Sequence, residues 1–222
     1  LSRSGMLIWL LFIATVLLFS YIKKNRSAGK LALFHMGIAS LAYVSLQIVS
    51  AQVGQPLVRD DLPEESIIST SLSGRFEIWK PVVVDLIEQK PVFGWGLKTY
   101  ASLYPSVRQE YGSSGHVAHN DYIQFALEGG IILLVFLVLY LLFHLFLFAK
   151  LLKHQSSESI KSSETELALM LVDNLALLFH SSINFSFYII QLSILSGIIF
   201  ARSYYLSTVL GLIPKPTVIS LS

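Results

Sequence analysis

Apolar residues in this 222-residue chain gather into long blocks separated by short polar breaks. Met6–Ile22 is uniformly apolar and stops at Lys23, Lys24 and Arg26; Leu31–Val49 follows a polar turn closed by Lys30. Gly129–Ala149 carries no charge and ends at Lys150, Lys153 and His154. A helix needs roughly 20 mostly apolar residues to cross a hydrocarbon core of about 30 Å, and each block is near that length. From Glu166 to Leu206 the apolar stretch is about twice as long and is broken at Ser181, Ser182 and Asn184, which predicts two helices joined by a tight turn. The pattern predicts an all-α integral membrane protein. It has about five transmembrane helices, at 6–22, 31–49, 129–149, 166–183 and 185–206, and one large, partly helical loop outside the membrane. The units are thus 1–50 with two helices, 51–128 as the loop, and 129–222 with three helices and a tail. No internal repeat interrupts this plan.

Short loops give the orientation, because Lys and Arg accumulate on the cytoplasmic side. Lys23, Lys24, Arg26 and Lys30 lie in the first connection, Lys150, Lys153 and Lys161 in the third, and five helices put both on one side. The large loop is then expected on the outer face, with six basic against ten acidic residues. Inside it, Ala51–Ser69 is polar and irregular. Phe76, Trp79, Val83 and Ile87 recur at helical spacing, with Ser73 as a candidate N-cap. Pro81 demands either a kink there or a helix start near Trp79. The Gly-Trp-Gly stretch at 94–96 reads as a turn. His119–Glu128 reads as a short interfacial helix hinged to the third span at Gly129-Gly130.

Composition supports the membrane assignment. The chain is 54% hydrophobic and 14% charged, with a mean hydropathy of +0.64, whereas soluble domains carry about 25% charged residues. The absence of cysteine removes disulfide and thiolate chemistry. A net charge of +2 gives no footprint for nucleic acid. The chain starts at Leu1 without a signal-peptide pattern, and is expected to be the later part of a longer protein.

Among candidate chemical groups, Arg75 falls in the first turn of the helix predicted after Ser73. A cation is unfavourable there unless an anion shares the site, so a bound phosphate would explain it; a solvated arginine is the competing reading. Arg3 lies at the outer mouth of the first span, against the positive-inside preference, where a snorkelling arginine is the alternative. His119 and His116 have the unperturbed pKa suited to proton transfer near neutrality. Asn120 either orients a substrate or caps the helix after it. Asp173, His180 and Asn184 are spaced to share one face of the fourth span. Acidic residues in a span are functional by default, and an interhelical packing bond is the alternative. No Asp-x-Asp, His-x-x-x-His, phosphate-loop or Gly-x-Ser-x-Gly pattern occurs, so no metal site, nucleotide site or serine nucleophile is indicated.

Five stretches in order then carry a resemblance. They are Leu-Ser-Arg-Ser-Gly (1–5) entering a span, Gly-Arg-x-x-x-Trp (74–79), Pro-x-Phe-Gly-Trp-Gly (91–96), His-Asn-x-Tyr (119–122), and Glu-Gly-Gly (128–130) before another span. With the last helix pair bearing His180 and Asn184, the chain resembles the C-terminal part of the O-antigen ligase/polymerase family. Those bacterial membrane glycosyltransferases are GT-C-like and have about a dozen spans; they often have an acidic residue where this chain has Asn184. The resemblance implies a multi-pass protein of the bacterial inner membrane with a periplasmic loop, acting among membrane lipids. It implies transfer of a glycan from undecaprenyl diphosphate to lipid A–core or another glycan or protein acceptor, with inversion and with neither metal nor cofactor. Arg3 and Arg75 would hold the leaving diphosphate and His119 would take the acceptor's proton. His116, Asn120, His180 and Trp95 would line the substrate, Trp95 by stacking on a sugar or by anchoring at the interface. Polymerase and protein O-oligosaccharyltransferase are the near alternatives, and an inorganic-carbon transporter is the one from another class. A transporter would place its polar residues along a midplane path, whereas here they gather in the loop.

Overall fold

A computed structural model describes residues 3–53, 72–107, 117–155, 157–184 and 186–215; Ala51–Ser69 is thus largely outside the described residues, as is His116. Helix is the only regular structure among them. The helices are α1 (Arg3–Ile22), α2 (Arg26–Val53), α3 (Leu72–Pro81), the single turn α4 (Tyr100–Leu103), α5 (Asp121–Lys153), α6 (Lys161–Ser181) and α7 (Ile190–Val209). Two of them, α5 and α7, are long and apolar enough to cross a membrane, and Ile8–Ile22 within α1 is a shorter apolar run.

α6 lies at the centre of the bundle, against α1, α5 and α7, while α2 packs on α1. Phe19, Leu147, Leu151, Leu167 and Leu171 are buried together where α1, α5 and α6 meet. At one end, buried Glu164 pairs with His154 at 2.8 Å and Lys23 at 3.7 Å, and Lys23 also donates to the His154 carbonyl. The connections after α1 and after α5 therefore lie at the same end. Deeper in, Asn174 joins three helices: its amide donates to His144 Nε2 and Tyr140 Oη of α5, each at 3.0 Å, and its carbonyl accepts from Ser196 of α7 at 3.0 Å. The polar residue facing the interior of α6 is thus Asn174, and Asp173 lies on the exposed side. Of the three residues expected on one face, Asp173 and His180 lie on α6, whereas α6 ends at Ser181 and Asn184 lies in the turn beyond it, where it bonds to His180.

The insert is helical over the stretch its aromatic residues suggested, Phe76–Ile87, but it buries a different face. Leu72 is already helical, which places Ser73 within α3. The chain continues through Pro81 into a π-helical segment, Val82–Ile87. Proline supplies no N–H to an α-helical bond, and a local switch of hydrogen-bond register is one way a helix absorbs that loss. The buried stripe is Ile78, Val82 and Leu86, while Phe76 and Val83 point outward. This stripe packs with Tyr100, Tyr104, Ala118 and Leu127 into a small second core.

That core is locked to α5 through the backbone. Trp95 N–H donates to the Leu127 carbonyl and Gly96 N–H to the Glu128 carbonyl, both at 2.9 Å, and Ile131 N–H donates to the Pro91 carbonyl at 2.7 Å. Gly130 breaks α5 at φ 64°, ψ −162°, and so forms the expected hinge. A Cβ on Gly94 would lie 2.5 Å from the Glu128 carbonyl carbon, and one on Gly130 would overlap the Val92 carbonyl. The Glu128 carboxylate completes the joint by accepting from Lys98 N–H at 2.7 Å and Tyr100 N–H at 3.2 Å. Gly94→Ala and Gly130→Ala should each destabilise the protein by about 1–3 kcal/mol through overpacking, read as a lowered melting temperature in detergent. Gly197→Ala, where an added Cβ meets nothing within 4 Å, is the control, and equal effects at all three positions would refute the interlock.

Candidate functional site

The insert meets the α6–α7 turn at the end of the bundle away from Glu164. Arg75 and Trp79 are four residues apart on α3 and so share a face. Arg75 Nη1 donates to the Ile183 carbonyl in the turn. Trp79 Nε1 donates to the Ala118 carbonyl at 2.6 Å, and Ala118 N–H donates to Gln124 Oε1 at 3.1 Å. With Ala118 fixed on both sides, the chain turns sharply at His119, which has φ 52°. That left-handed conformation is uncommon for a residue with a Cβ. Asn120 then caps α5, its side chain accepting from Ile123 N–H at 3.1 Å. The helix expected to start at His119 starts at Asp121, and His119 stands just outside it.

The turn supplies the other half. His180 Nδ1 lies 2.8 Å from Ser186 Oγ, and its Nε2 lies 3.3 Å from Asn184 Nδ2. The His180 ring thus bridges Ser186 and Asn184, one on each ring nitrogen. Asn184 also hydrogen-bonds to His119, and the Arg75 charge acts on both rings. Arg75, His119, His180 and Asn184 therefore form one cluster. Burial first, then the Arg75 charge, hold the His119 pKa below its ordinary value of 6.5, against the Asn184 bond that raises it. Its ring is neutral at neutral pH and able to accept a proton.

Asp121 closes the circuit. It is fully buried at the start of α5, and its Oδ2 accepts from Phe187 N–H at 2.7 Å while its carboxylate also takes the Ser186 N–H. The Phe187 carbonyl accepts in turn from Ser193 Oγ of α7 at 2.5 Å. The acid two residues after His119 thus holds the turn that brings Asn184 to His119. Sequence patterns alone did not single out Asp121, and they offered Trp79 as an apolar position and as the end of the Gly-Arg-x-x-x-Trp motif, without a role in the site. Their local signals were an acid at the first helical position and an aromatic residue one turn after Arg75.

The remaining candidates fall as follows. Arg3 opens α1, and because α1 ends at the Glu164 end, Arg3 lies at the end that holds the cluster; its side chain is outside the described ones. Trp95 turns inward, with Nε1 donating to the Leu86 carbonyl at 2.8 Å and Lys90 Nζ 4.1 Å from its ring. An open apolar groove of ≈ 310 Å³ runs between α5 and α7, with Phe125 and Phe187 at the cluster's edge and Tyr140 and Gly197 farther in.

Comparison with known proteins places residues 1–138 under the family model described as O-antigen ligase. That family is membrane-associated, and its substrates are in general glycans and lipids. No curated protein and no solved structure matches the chain. The matched stretch contains Arg75, His119 and Asp121, and the turn that completes their cluster follows it.

Asp121→Ala should free the Ser186 and Phe187 amides, weakening the turn by about 1–3 kcal/mol as a buried hydrogen-bonded group is lost. Hydrogen exchange at those amides should speed up by about 5- to 150-fold, with Asp121→Asn intermediate. Unchanged protection in Asp121→Ala would show that the turn does not depend on this carboxylate.

Proposed function

We propose, since the chain belongs to the O-antigen ligase family, that it moves a glycan from undecaprenyl diphosphate to a lipid A–core or similar acceptor at the outer face of the bacterial inner membrane. The observation that carries this reading is the convergence of Arg75 and His119 on one turn. In the proposed reaction the acceptor hydroxyl attacks the anomeric carbon of the donor sugar. The bond from that carbon to the diphosphate oxygen breaks, and the hydroxyl proton passes to the neutral His119 ring. Attack opposite the leaving group inverts the anomeric centre. The departing diphosphate gains negative charge, which a guanidinium can take by two parallel N–H donations. Arg75 is the proposed holder, with Arg3 as its partner from α1. Asn184 and His180 orient the base. The apolar groove beside the cluster suits an isoprenoid tail, which would bring the diphosphate to the membrane surface under Arg75.

The test is single-turnover transfer by the full-length protein in membranes, with polyprenyl-diphosphate-linked glycan extracted from the source cells. His119→Ala should lower the rate about 10²–10⁴-fold, the usual worth of a positioned general base, and Arg75→Ala should lower it by a comparable factor. Wild-type rates in both variants, at wild-type expression, would rule the assignment out. The pH profile gives a second check. A base with a lowered pKa keeps its neutral form to lower pH, so the acid limb should have its midpoint below 6.5. Arg75→Gln removes one cause of that lowering, and the limb of its residual activity should move up towards 6.5. Linkage has the matching sign. As pH falls through 6.5 the unfolded chain takes up this proton before the folded one does, so His119 destabilises the fold only below that value.

A further inference from the structure

We propose that the Pro91–Leu97 loop is a membrane-inserted wedge, with Val92, Phe93 and Leu97 in the outer leaflet and Lys90 and Lys98 at its phosphates. Three large apolar side chains project from this short loop: Val92 is 47%, Phe93 77% and Leu97 72% exposed. The residues beside them are cations, exposed Lys90 and Lys98. Lipid phosphates would complement these charges, and a lysine whose aliphatic stem lies along apolar surface keeps its ammonium at that level.

The loop's depth comes from what holds it. Its backbone is bonded to Leu127, Glu128 and Ile131, so it cannot move away from the point where α5 becomes an unbroken apolar helix. Ile131 and Ile132, the first residues after the Gly130 break, are themselves exposed. The apolar tip is therefore continuous with the lipid-facing surface of a helix long enough to span a bilayer. Trp95, which the sequence offered as an interfacial anchor, is bonded inward to Leu86, so the loop would hold to the membrane by burying the apolar Phe93 and Leu97 side chains. The wedge rests on the membrane placement of α5 and is independent of the transfer reaction.

The test uses the full-length protein in vesicles of phosphatidylethanolamine and phosphatidylglycerol. A single cysteine is introduced in turn at Phe93, Leu97 and, as control, exposed Glu88; the present chain contains no cysteine. Each is spin-labelled, and its collision rates with dissolved oxygen and with a water-soluble nickel chelate are compared. Labels at 93 and 97 should favour oxygen several-fold, and the label at 88 should favour nickel. Preference for nickel at 93 and 97 overturns the wedge, as does shielding from both reagents, which would mean a protein segment or a second copy covers the loop. If a labelled variant fails to fold, the unmodified protein decides. A phospholipid with a photoreactive group near its glycerol should then cross-link within 92–97. Cross-links on 131–139 with none on the loop overturn the proposal.

Discussion

Among the described residues, the placement of the insert depends on a close approach of two backbones. The loop at 91–96 and the helix at 127–131 exchange three hydrogen bonds across a gap that admits no Cβ at Gly94 or Gly130. Such an approach leaves the insert one position relative to α5. The second core of Ile78, Val82, Leu86 and Leu127 then packs against that fixed frame. Trp79 extends the frame to Ala118, one residue before His119. Two motifs that read as separate stretches of sequence are in this sense one structural joint.

From this joint the candidate site follows in two steps. The first is the left-handed turn at His119, forced between the fixed Ala118 peptide and the Asn120 cap. The second is the α6–α7 turn, held by Asp121 from α5, Ser193 from α7 and Arg75 from α3. A turn between two helices has backbone groups outside the helical ladders to be satisfied, and here several of them are used to bring four elements together. Asn184, between the two histidines, is where those elements meet. Asn184 offers the His119 ring a neutral amide and no carboxylate to favour its charged form. That agrees with the lowered pKa set by burial and Arg75.

Much was legible along the chain because its signals are local. Long apolar blocks identify helices, and Gly129-Gly130 and Asn120 mark a hinge and a cap. Arg75 stood out as a cation in an unusual place, and His119 as a group whose ordinary pKa suits proton transfer. The errors came where the signal is three-dimensional. The 76/79/83/87 stripe looked apolar, yet the buried face is 78/82/86, since both spacings are helical and only the packing partner decides between them. For Asp173 the sequence left a functional role and a packing bond both open, and the structure shows its neighbour Asn174 making the interhelical bonds.

By itself, then, the sequence determined the helical class, the family, and the residue types able to hold a diphosphate and take a proton. Periodicity, length and motif order are properties of neighbouring residues and need no fold to be read. Only the tertiary structure decided that His119 meets Asn184, that Asp121 holds the turn between them, and that Trp95 points inward while Phe93 points out. Those are contacts between residues as many as 66 positions apart. They exist because backbone groups far apart in the chain satisfy one another, and a linear pattern does not encode which pairs will.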